Sequence, residues 1–400
     1  MKPRGSTALT VLVLVLIAVG LVVAACGGEE TTTTVAAVTT TTQAVTTTTQ
    51  AITTTTEATT TTTVGRLGEL VWRFQTGGRI GFPPGLAPII ADGVLYFGSE
   101  DSYFYAVDIQ SGKENWKFQA GGPILSAPSI SDGVVYFGAL DNCLYAVDIQ
   151  SGVEKWKFQT GGTVGSPAVS AGVVCFGSMD TFLYAVDVQS GTEKWKFQTD
   201  DALVGCPAIS GGVVYFGWVG PGEGWSEYLS AVDLQTGAER WKLKTGSTYA
   251  IKIESAPVIA DGVAYVADSG GYLYAVDIQS GEQKWKAETL GGGFWSAASP
   301  AVSDGVVCFG SQDACLYAAD IQNGTEKWRF QTGGQISCSP VISDGLVYFG
   351  SEDGYLYVLD TQTGQEKWRF KTDDAILSSP VFSAGVVYFG SNDTYFYAVK

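Results

Sequence analysis

The chain has 400 residues, a formal net charge of −17 and no histidine. An acidic chain without a cluster of lysine and arginine argues against nucleic acid and anionic lipid head groups as partners. The absence of histidine excludes Ser-His-Asp and Cys-His nucleophilic catalysis, histidine-ligated zinc and histidine-ligated haem.

Residues 1–25 have the layout of a bacterial secretory signal peptide. Two basic residues precede an apolar run from Ala8 to Ala25, and this run leads directly into Cys26. Small residues before a cysteine are typical of a lipobox, in which the peptidase cleaves and Cys26 accepts the lipid. The alternative is an uncleaved membrane anchor, because about 18 apolar residues approach a spanning length. Both interpretations predict an extracytoplasmic location, at the cell surface or in the periplasm.

Residues 26–64 are predicted to be the lipid-anchored cysteine followed by a disordered linker. From Thr31 to Thr63 the sequence is mostly threonine in short runs, separated by Val, Ala, Gln and Glu. A segment with almost no aromatic or large apolar residues cannot offset the entropy that it would lose on ordering. We therefore expect a tether with a typical reach of roughly 30 Å.

A repeat of about 40 residues fills the chain from residue 65 to residue 400, and repeats of this length are typical of propeller blades. In the second repeat, residues 127–131 and 134–138 have the composition of strands joined by the tight turn Asp132-Gly133, and two further strands follow. The pattern predicts an all-β propeller of four-stranded antiparallel blades. Each repeat carries one marker tryptophan: Trp72, Trp116, Trp156, Trp195, Trp241, Trp285, Trp328 and Trp368.

The markers predict eight blades and a ring closed by the N-terminal strand. The last repeat stops at Lys400, before its tryptophan strand, whereas residues 69–74 contain Trp72 but have no preceding strands of their own. We expect this strand to complete the eighth blade, which leaves no long exposed sheet edge. A proline opens each repeat: Pro88, Pro128, Pro167, Pro207, Pro257, Pro300, Pro340 and Pro380.

Most of the conspicuous polar residues recur in nearly every repeat, which predicts a structural role. In the second repeat Asp141 lies in the middle hairpin turn, and Asp148 precedes the turn before the tryptophan strand. A carboxylate at a turn accepts backbone N–H bonds, and each repeated tryptophan is expected to be a packing wedge between blades. We predict no catalytic residue and no metal site.

Cysteines other than Cys26 replace residues of the repeat. A cysteine at a buried repeat position usually acts as a small hydrophobic residue. The alternative for one pair is a disulfide between Cys308 and Cys315, which lie on adjacent strands of one predicted hairpin. The six positions are Cys143, Cys175, Cys206, Cys308, Cys315 and Cys338.

The repeat is expanded at four places, three of them in the neighbouring fourth, fifth and sixth repeats. Residues 218–227 are inserted in the middle hairpin of the fourth repeat, and the connections that lead to residues 87, 256 and 299 are lengthened. In an up-and-down blade the middle hairpin and the connection to the next blade emerge on the same side. The expansions therefore share one face, which we call the long-loop face.

The three neighbouring expansions bring aromatic and charged residues together. Exposed aromatic side chains with a few charges favour the binding of a partner. The alternative is that the divergent loops pack on themselves. The candidate binding residues are Trp218, Glu223, Trp225, Glu227, Tyr249, Lys252, Glu254, Phe294 and Trp295.

The motif AxDxxxGKExWxxxxG at residues 106–121 resembles the tryptophan-docking repeat of the pyrroloquinoline-quinone (PQQ) dehydrogenase superfamily, and related versions recur to residue 400. For the enzymes, the resemblance implies a tricarboxylate cofactor near the axis, basic side chains that bind it, a calcium ion and commonly a cap of two adjacent cysteines. The predicted innermost strands contain no charged residue, and the chain has no Cys-Cys pair. We therefore expect no cofactor and no enzyme activity.

Together these features favour a non-enzymatic, monomeric lipoprotein that binds a protein or polysaccharide partner through its long-loop face. The overall plan is also similar to that of lipid-anchored propellers of outer-membrane assembly, which implies envelope protein assembly as a first alternative. A PQQ-dependent oxidoreductase is the second alternative.

Overall fold

The computed structural model describes residues 67–81, 87–201, 205–220, 226–245, 255–268, 271–288 and 298–400. The predicted signal peptide, Cys26 and the linker lie outside these residues. Within the described part of the chain, no helix is long and apolar enough to cross a membrane. All regular structure in the described residues is β-sheet, in eight separate four-stranded antiparallel sheets.

The first strand of the described residues is β1 (Leu70–Gln75). Blade 1 consists of β2 (Ile89–Ala91), β3 (Val94–Gly98), β4 (Tyr103–Asp108) and β5 (Glu114–Gln119). Blade 2 consists of β6 (Ser129–Ser131), β7 (Val134–Gly138), β8 (Cys143–Asp148) and β9 (Glu154–Gln159). Blade 3 consists of β10 (Ala168–Ser170), β11 (Val173–Gly177), β12 (Phe182–Asp187) and β13 (Glu193–Gln198). Blade 4 consists of β14 (Ala208–Ser210), β15 (Val213–Gly220), β16 (Ser226–Asp233) and β17 (Glu239–Lys244).

Blade 5 consists of β18 (Val258–Ala260), β19 (Val263–Ala267), β20 (Tyr272–Asp277) and β21 (Gln283–Glu288). Blade 6 consists of β22 (Ala301–Ser303), β23 (Val306–Gly310), β24 (Cys315–Asp320) and β25 (Glu326–Gln331). Blade 7 consists of β26 (Val341–Ser343), β27 (Leu346–Gly350), β28 (Tyr355–Asp360) and β29 (Glu366–Lys371). Blade 8 consists of β30 (Val381–Ser383), β31 (Val386–Gly390), β32 (Tyr395–Val399) and β1.

A two-residue turn joins the first and second strands of every blade. In blade 1 both turn residues have positive φ, 49° at Asp92 and 76° at Gly93. This is the type I′ geometry, whose twist matches that of the flanking strands and for which Asp-Gly is a preferred sequence. The turn Asp132-Gly133 predicted from the sequence is confirmed in blade 2.

The hydrophobic core lies between neighbouring blades. The second and third strands are buried on both faces, which is why a segment such as Val134–Gly138 is apolar throughout. Phe104 of blade 1 stacks on Phe137 of blade 2 with 4.1 Å between ring centroids, and Phe97 stacks on Phe396 of blade 8 at 4.5 Å. Each blade therefore buries its two apolar faces against its two neighbours.

The repeated tryptophans fasten each blade to the next one. The Trp116 indole N–H donates to the carbonyl oxygen of Ile149 at 2.9 Å, and its ring packs on Gly152. Gly152 has a φ of 69°, and a Cβ atom there would lie 2.7 Å from the indole, so this position excludes every other residue. The predicted wedge role is confirmed, and the same hydrogen bond is donated by Trp72, Trp156, Trp195, Trp241, Trp285 and Trp328.

The ring closes where the first and last strands of the propeller meet. Strand β1 pairs with β32, and the Trp368 ring contacts Gly68, where a Cβ atom would lie 3.4 Å from it. The Gly68 amide donates to the Lys400 carbonyl at 2.6 Å, and the Lys400 amide donates to the Glu69 carbonyl at 2.9 Å. These two bonds reproduce those of the continuous turn that joins the third and fourth strands in the other blades. The innermost strands contact one another in cyclic order, from β2 through β30 and back to β2, and the predicted closure is confirmed.

Removing residues 1–75 should destabilise the propeller far more than removing residues 1–64. The longer deletion takes away β1 together with Trp72, and the loss of a packed tryptophan alone costs about 3–5 kcal/mol. Thermal unfolding followed by circular dichroism provides the comparison. Equal melting temperatures for the two truncated proteins would contradict closure by β1.

The turns between the third and fourth strands carry aspartates that organise the turn. The Asp108 carboxylate accepts hydrogen bonds from the Ser111 hydroxyl at 2.6 Å and from the Ser111 amide at 2.8 Å, and these bonds lower the pKa of Asp108. In blade 4 Arg240 donates to Asp233 at 2.8 Å and, with the Thr236 hydroxyl, lowers the pKa of Asp233 to about 2. The predicted structural role of these aspartates is confirmed.

Asp233→Asn should reduce the loss of stability that the protein shows in acid. The folded pKa of Asp233 lies below the unfolded value of 3.8, so its contribution is complete above that value and is lost as the pH falls toward 2. We expect the melting temperature of the variant to decrease less than that of the wild type between pH 6 and pH 3, as measured by calorimetry. Parallel decreases in the two proteins would show that the Arg240–Asp233 pair does not stabilise the fold.

The buried cysteines are packing residues. Cys175 and Cys308 are fully buried, and burial raises the pKa of the Cys308 thiol to about 12. Strand register places Cys308 opposite Ala318, and both Cys308 and Cys315 are free thiols. The predicted small hydrophobic role is confirmed for Cys175 and Cys308. The alternative of a disulfide between Cys308 and Cys315 is wrong, because the hairpin register separates their side chains.

Candidate functional site

The antiparallel order of the strands defines two faces of the ring. The long-loop face carries the hairpins between second and third strands and the connections between blades. The opposite face, which we call the turn face, carries the type I′ turns and the turns between third and fourth strands. Expansions of the repeat therefore change the long-loop face and leave the turn face nearly uniform.

The hairpins of the long-loop face are fixed by a repeated aspartate–tyrosine pair. In blade 1 the Asp101 carboxylate accepts hydrogen bonds from the Tyr105 hydroxyl at 2.7 Å, the Tyr103 amide at 3.0 Å and the Gly77 amide at 2.7 Å. The last bond joins blade 1 to the segment that follows β1. Burial and the equivalent hydrogen bond to Asp353 raise the pKa of Tyr357 to about 12, so this phenol stays a donor at neutral pH. Residues at the hairpin tips are therefore held on a rigid base.

Blade 5 makes the same contact from a different sequence position. Its hairpin lacks the usual aspartate, and Asp268 replaces the serine that begins this hairpin in blade 1. The Asp268 carboxylate accepts the Tyr272 amide at 2.8 Å and the Tyr274 hydroxyl at 3.0 Å. A carboxylate two residues earlier in the chain thus replaces the missing one.

The insertion in blade 4 lengthens both strands of the middle hairpin, so that β15 and β16 have eight residues each. Trp218 stacks on Tyr228 with 4.9 Å between ring centroids, and its indole N–H donates to the Ser230 hydroxyl at 2.9 Å. The Lys242 ammonium lies 4.0 Å from each of the two ring centroids. A cation at this distance from two aromatic faces stabilises the extended hairpin.

Two of the nine predicted binding residues are part of this packing and are not accessible. Trp218 is only 4% exposed, and Glu227 is fully buried opposite Val219 in the strand pair. The expectation that these two side chains are exposed is therefore wrong, because the residues of the insertion that the structure describes, 218–220 and 226–227, extend the sheet. The other seven predicted residues lie outside the described residues: Glu223, Trp225, Tyr249, Lys252, Glu254, Phe294 and Trp295.

Two exposed apolar residues on the long-loop face were not predicted from the sequence. Leu140 and Met179 occupy the hairpin tips of blades 2 and 3 and are 41% and 47% exposed. Their amides donate to the carbonyls of Pro123 and Thr163 at 2.9 Å, which fixes the tips to the preceding connections. The signal is visible only in the aligned repeats, where the tip residue is polar in four other blades: Glu100, Gln312, Glu352 and Asn392.

The innermost strands do not fit a tricarboxylate cofactor or its calcium ion. All eight consist of apolar residues and serine, without a basic side chain. Hydroxyls before the marker prolines bond the preceding blade, as when Ser166 accepts the Ala127 amide at 2.8 Å and Ser339 accepts the Ser299 amide at 2.8 Å. Among the residues that the structure describes, no group of acidic or cysteine side chains could hold a metal ion.

Solved structures confirm the eight-bladed fold. BamB from Moraxella catarrhalis aligns with a TM-score of 0.69 at 19% identity, over 83% of this chain and 99% of that chain. The computationally designed Ika8 protein aligns with a TM-score of 0.70 at 19% identity, over the same shares. Quinohemoprotein alcohol dehydrogenase from Comamonas testosteroni aligns with a TM-score of 0.70 at 14% identity, over 82% of this chain and 76% of that chain. At these identities the similarity shows the fold alone.

Comparison with protein families gives a more specific result. No curated protein matches the chain. The model of one family, described as outer membrane protein assembly factor BamB, matches in four overlapping segments, residues 60–196, 160–293, 226–341 and 330–400. These segments cover the whole propeller, including the strand that closes the ring. The chain belongs to the family of the outer membrane protein assembly factor BamB.

Proposed function

We propose that this protein is a non-enzymatic scaffold of the bacterial envelope that binds a partner protein through blades 2 to 4 of the long-loop face. The main support is the pair of exposed apolar tips, Leu140 and Met179, on neighbouring hairpins. Exposed apolar side chains on a hydrogen-bonded backbone favour a protein partner, since binding requires little further ordering of the backbone. Membership of the BamB family supports a role in the assembly of envelope proteins.

The acidic residues near Leu140 and Met179 indicate the charge of the partner surface. Asp141 and Asp180 lie directly beside the two tips, and the connection from blade 3 to blade 4 begins with Asp200 and Asp201. Asp141 and Asp180 are held by the hairpin tyrosines Tyr145 and Tyr184, so their negative charge lies in the base beneath each apolar tip. A partner surface with apolar side chains flanked by basic residues is complementary to this arrangement.

Photo-crosslinking in living cells should detect the partner from the two tips. A benzophenone amino acid at position 140 or 179 should give one protein adduct, whereas the same group at position 352 or 392, on the opposite half of the ring, should not. Leu140→Glu and Met179→Glu together should abolish co-purification of that adduct partner, because glutamate is the tip residue of blades 1 and 7. An unchanged melting temperature provides the control for folding. Adducts of equal yield from all four positions, or turnover of an alcohol with added PQQ, calcium and a dye acceptor, would contradict the proposal.

We further propose that the protein is lipidated at Cys26 and held outside the cytoplasmic membrane. Cys26→Ser should abolish labelling with a radioactive fatty acid and leave the precursor either uncleaved or released from the membrane fraction. The measurement is the radioactive fatty acid incorporated into the immunoprecipitated protein. Membrane retention of the variant together with an unprocessed N terminus would indicate that residues 8–25 are themselves the anchor.

A further inference from the structure

Blade 8 has an apolar corner where its edge strand β1 begins on the turn face. Leu67, Leu70 and Val71 are 69%, 42% and 48% exposed there. They are half of the large apolar side chains that are exposed among the residues that the structure describes, and the others are Leu140, Val153 and Met179. A cluster of exposed apolar side chains is typical of a surface that contacts a protein or a membrane. We call Leu67, Leu70 and Val71 the blade 8 corner.

The strand register shows which charges this corner has lost. Leu70 pairs in blade 8 at the position that Glu154 holds in blade 2. Lys400 follows β32 at the position that Asp148 holds in blade 2. Two carboxylates of a sister blade are thus replaced by an apolar side chain and a cation. Because an anionic lipid surface repels carboxylates and attracts a cation close to it, this exchange favours a membrane contact.

The ion pair at this corner in other blades is also missing in blade 8. In blade 2 the Lys155 ammonium lies 3.4 Å from the Asp148 carboxylate. Taking such a pair out of water costs the hydration of both charges. Val71 lies at the position of the lysine and carries no charge. The apolar strand end of blade 8 can therefore be dehydrated without that cost.

We propose that the blade 8 corner lies against the surface of the membrane that holds the N terminus, with its three apolar side chains at the depth of the lipid head groups. This inference rests on the proposed membrane anchor. The predicted linker ends at residue 64, three residues before Leu67, so this corner has the shortest connection to the anchor of any part of the propeller. A tether makes the contact intramolecular and keeps the corner at a high effective concentration near the lipid. Three apolar side chains are then sufficient for docking.

The charge of the remaining propeller restricts the contact to this corner. The chain has a formal net charge of −17, and an anionic lipid surface repels acidic groups within a Debye length, roughly 8 Å. Turning the ring to present another blade would bring an aspartate to the lipid. This aspartate occupies the position of Lys400 in each of the other blades: Asp108, Asp148, Asp187, Asp233, Asp277, Asp320 and Asp360.

Docking at the blade 8 corner leaves the proposed partner surface accessible. Blade 8 lies opposite blade 4 in the ring of eight blades. The corner is on the turn face, whereas Leu140 and Met179 are on the long-loop face. The membrane contact therefore directs the long-loop face of blades 2 to 4 away from the lipid, where a partner protein can reach it.

Quenchers carried by lipids test the contact in the purified full-length protein. Val71→Cys is labelled with the fluorophore bimane, and the vesicles contain equal parts of phosphatidylethanolamine and phosphatidylglycerol with a doxyl group near the head-group end of the acyl chains. We expect the doxyl lipids to reduce the fluorescence of this label. Lys155→Cys is the matched control, since it has the same strand position in blade 2, and its fluorescence should be unaffected. Wild-type protein treated with bimane corrects for the native cysteines.

Flotation of the same samples on a density gradient separates the contact from the anchor. Protein that floats with the vesicles, but whose label at position 71 is equally fluorescent with and without doxyl lipids, would exclude the contact and retain the anchor. Equal quenching at positions 71 and 155 would also exclude it, because the ring would then lie on the membrane without a preferred corner. Protein that does not float would refute the anchor and this contact together.

Sister-blade residues provide the second test. Leu70→Glu together with Val71→Lys gives β1 the residues that blade 2 has in the same fold, so the melting temperature should be retained. With the label moved to Leu67→Cys, we expect the double substitution to abolish quenching by the doxyl lipids. Val153→Lys, a change at an exposed apolar residue of blade 2, should leave quenching unchanged. Quenching that survives the double substitution, or that Val153→Lys also abolishes, would exclude the blade 8 corner as the contact.

Discussion

The contact between each tryptophan and the glycine of the next blade is the constraint on which the rest of the structure depends. A four-stranded blade has two apolar faces and cannot bury either of them alone, so the fold is stable only if blades keep a fixed spacing and orientation. The indole supplies both requirements, since its ring rests on a position where no side chain fits and its N–H reaches a backbone carbonyl of the next blade. The hydrogen bond fixes the orientation of the next blade, and contact with the flat ring fixes the distance between the two blades.

Because the tryptophan supplies this contact in each blade, neighbouring positions of the repeat can vary in sequence. The strand tyrosine beside the tryptophan in blade 1, Tyr96, is replaced by Cys175 in blade 3 and by Cys308 in blade 6, yet Trp195 and Trp328 keep their bonds to the next blade. In blade 5 the hairpin carboxylate has moved along the chain and still accepts the same tyrosine. The fold tolerates these changes because several other contacts, among them the tryptophan hydrogen bond, still join each blade to the next.

Blade number, strand order and ring closure were predictable from the sequence because each rests on a residue that recurs at a fixed interval. The burial of Trp218 and Glu227 was not, since an insertion in a hairpin can lengthen the strands or form a loop, and the sequence does not distinguish the two outcomes. The exposed apolar tips Leu140 and Met179 were not predictable for a related reason. A single apolar residue at a hairpin tip is ordinary in one blade and becomes informative only against polar residues at the same position in other blades.

Closure by the first and last strands of the propeller also has a consequence for how the protein folds. Leu70 pairs with Val399, so the last strand contact to form joins residues from nearly opposite ends of the propeller sequence. Contacts that are so distant in sequence carry a large loop-closure entropy and form slowly. Blades 1 to 7 can stack in order, but β1 has no partner until β32 has formed. Before β32 pairs with β1 the propeller is an open arc with an unpaired apolar face at each end, and in this interval it is most exposed to aggregation.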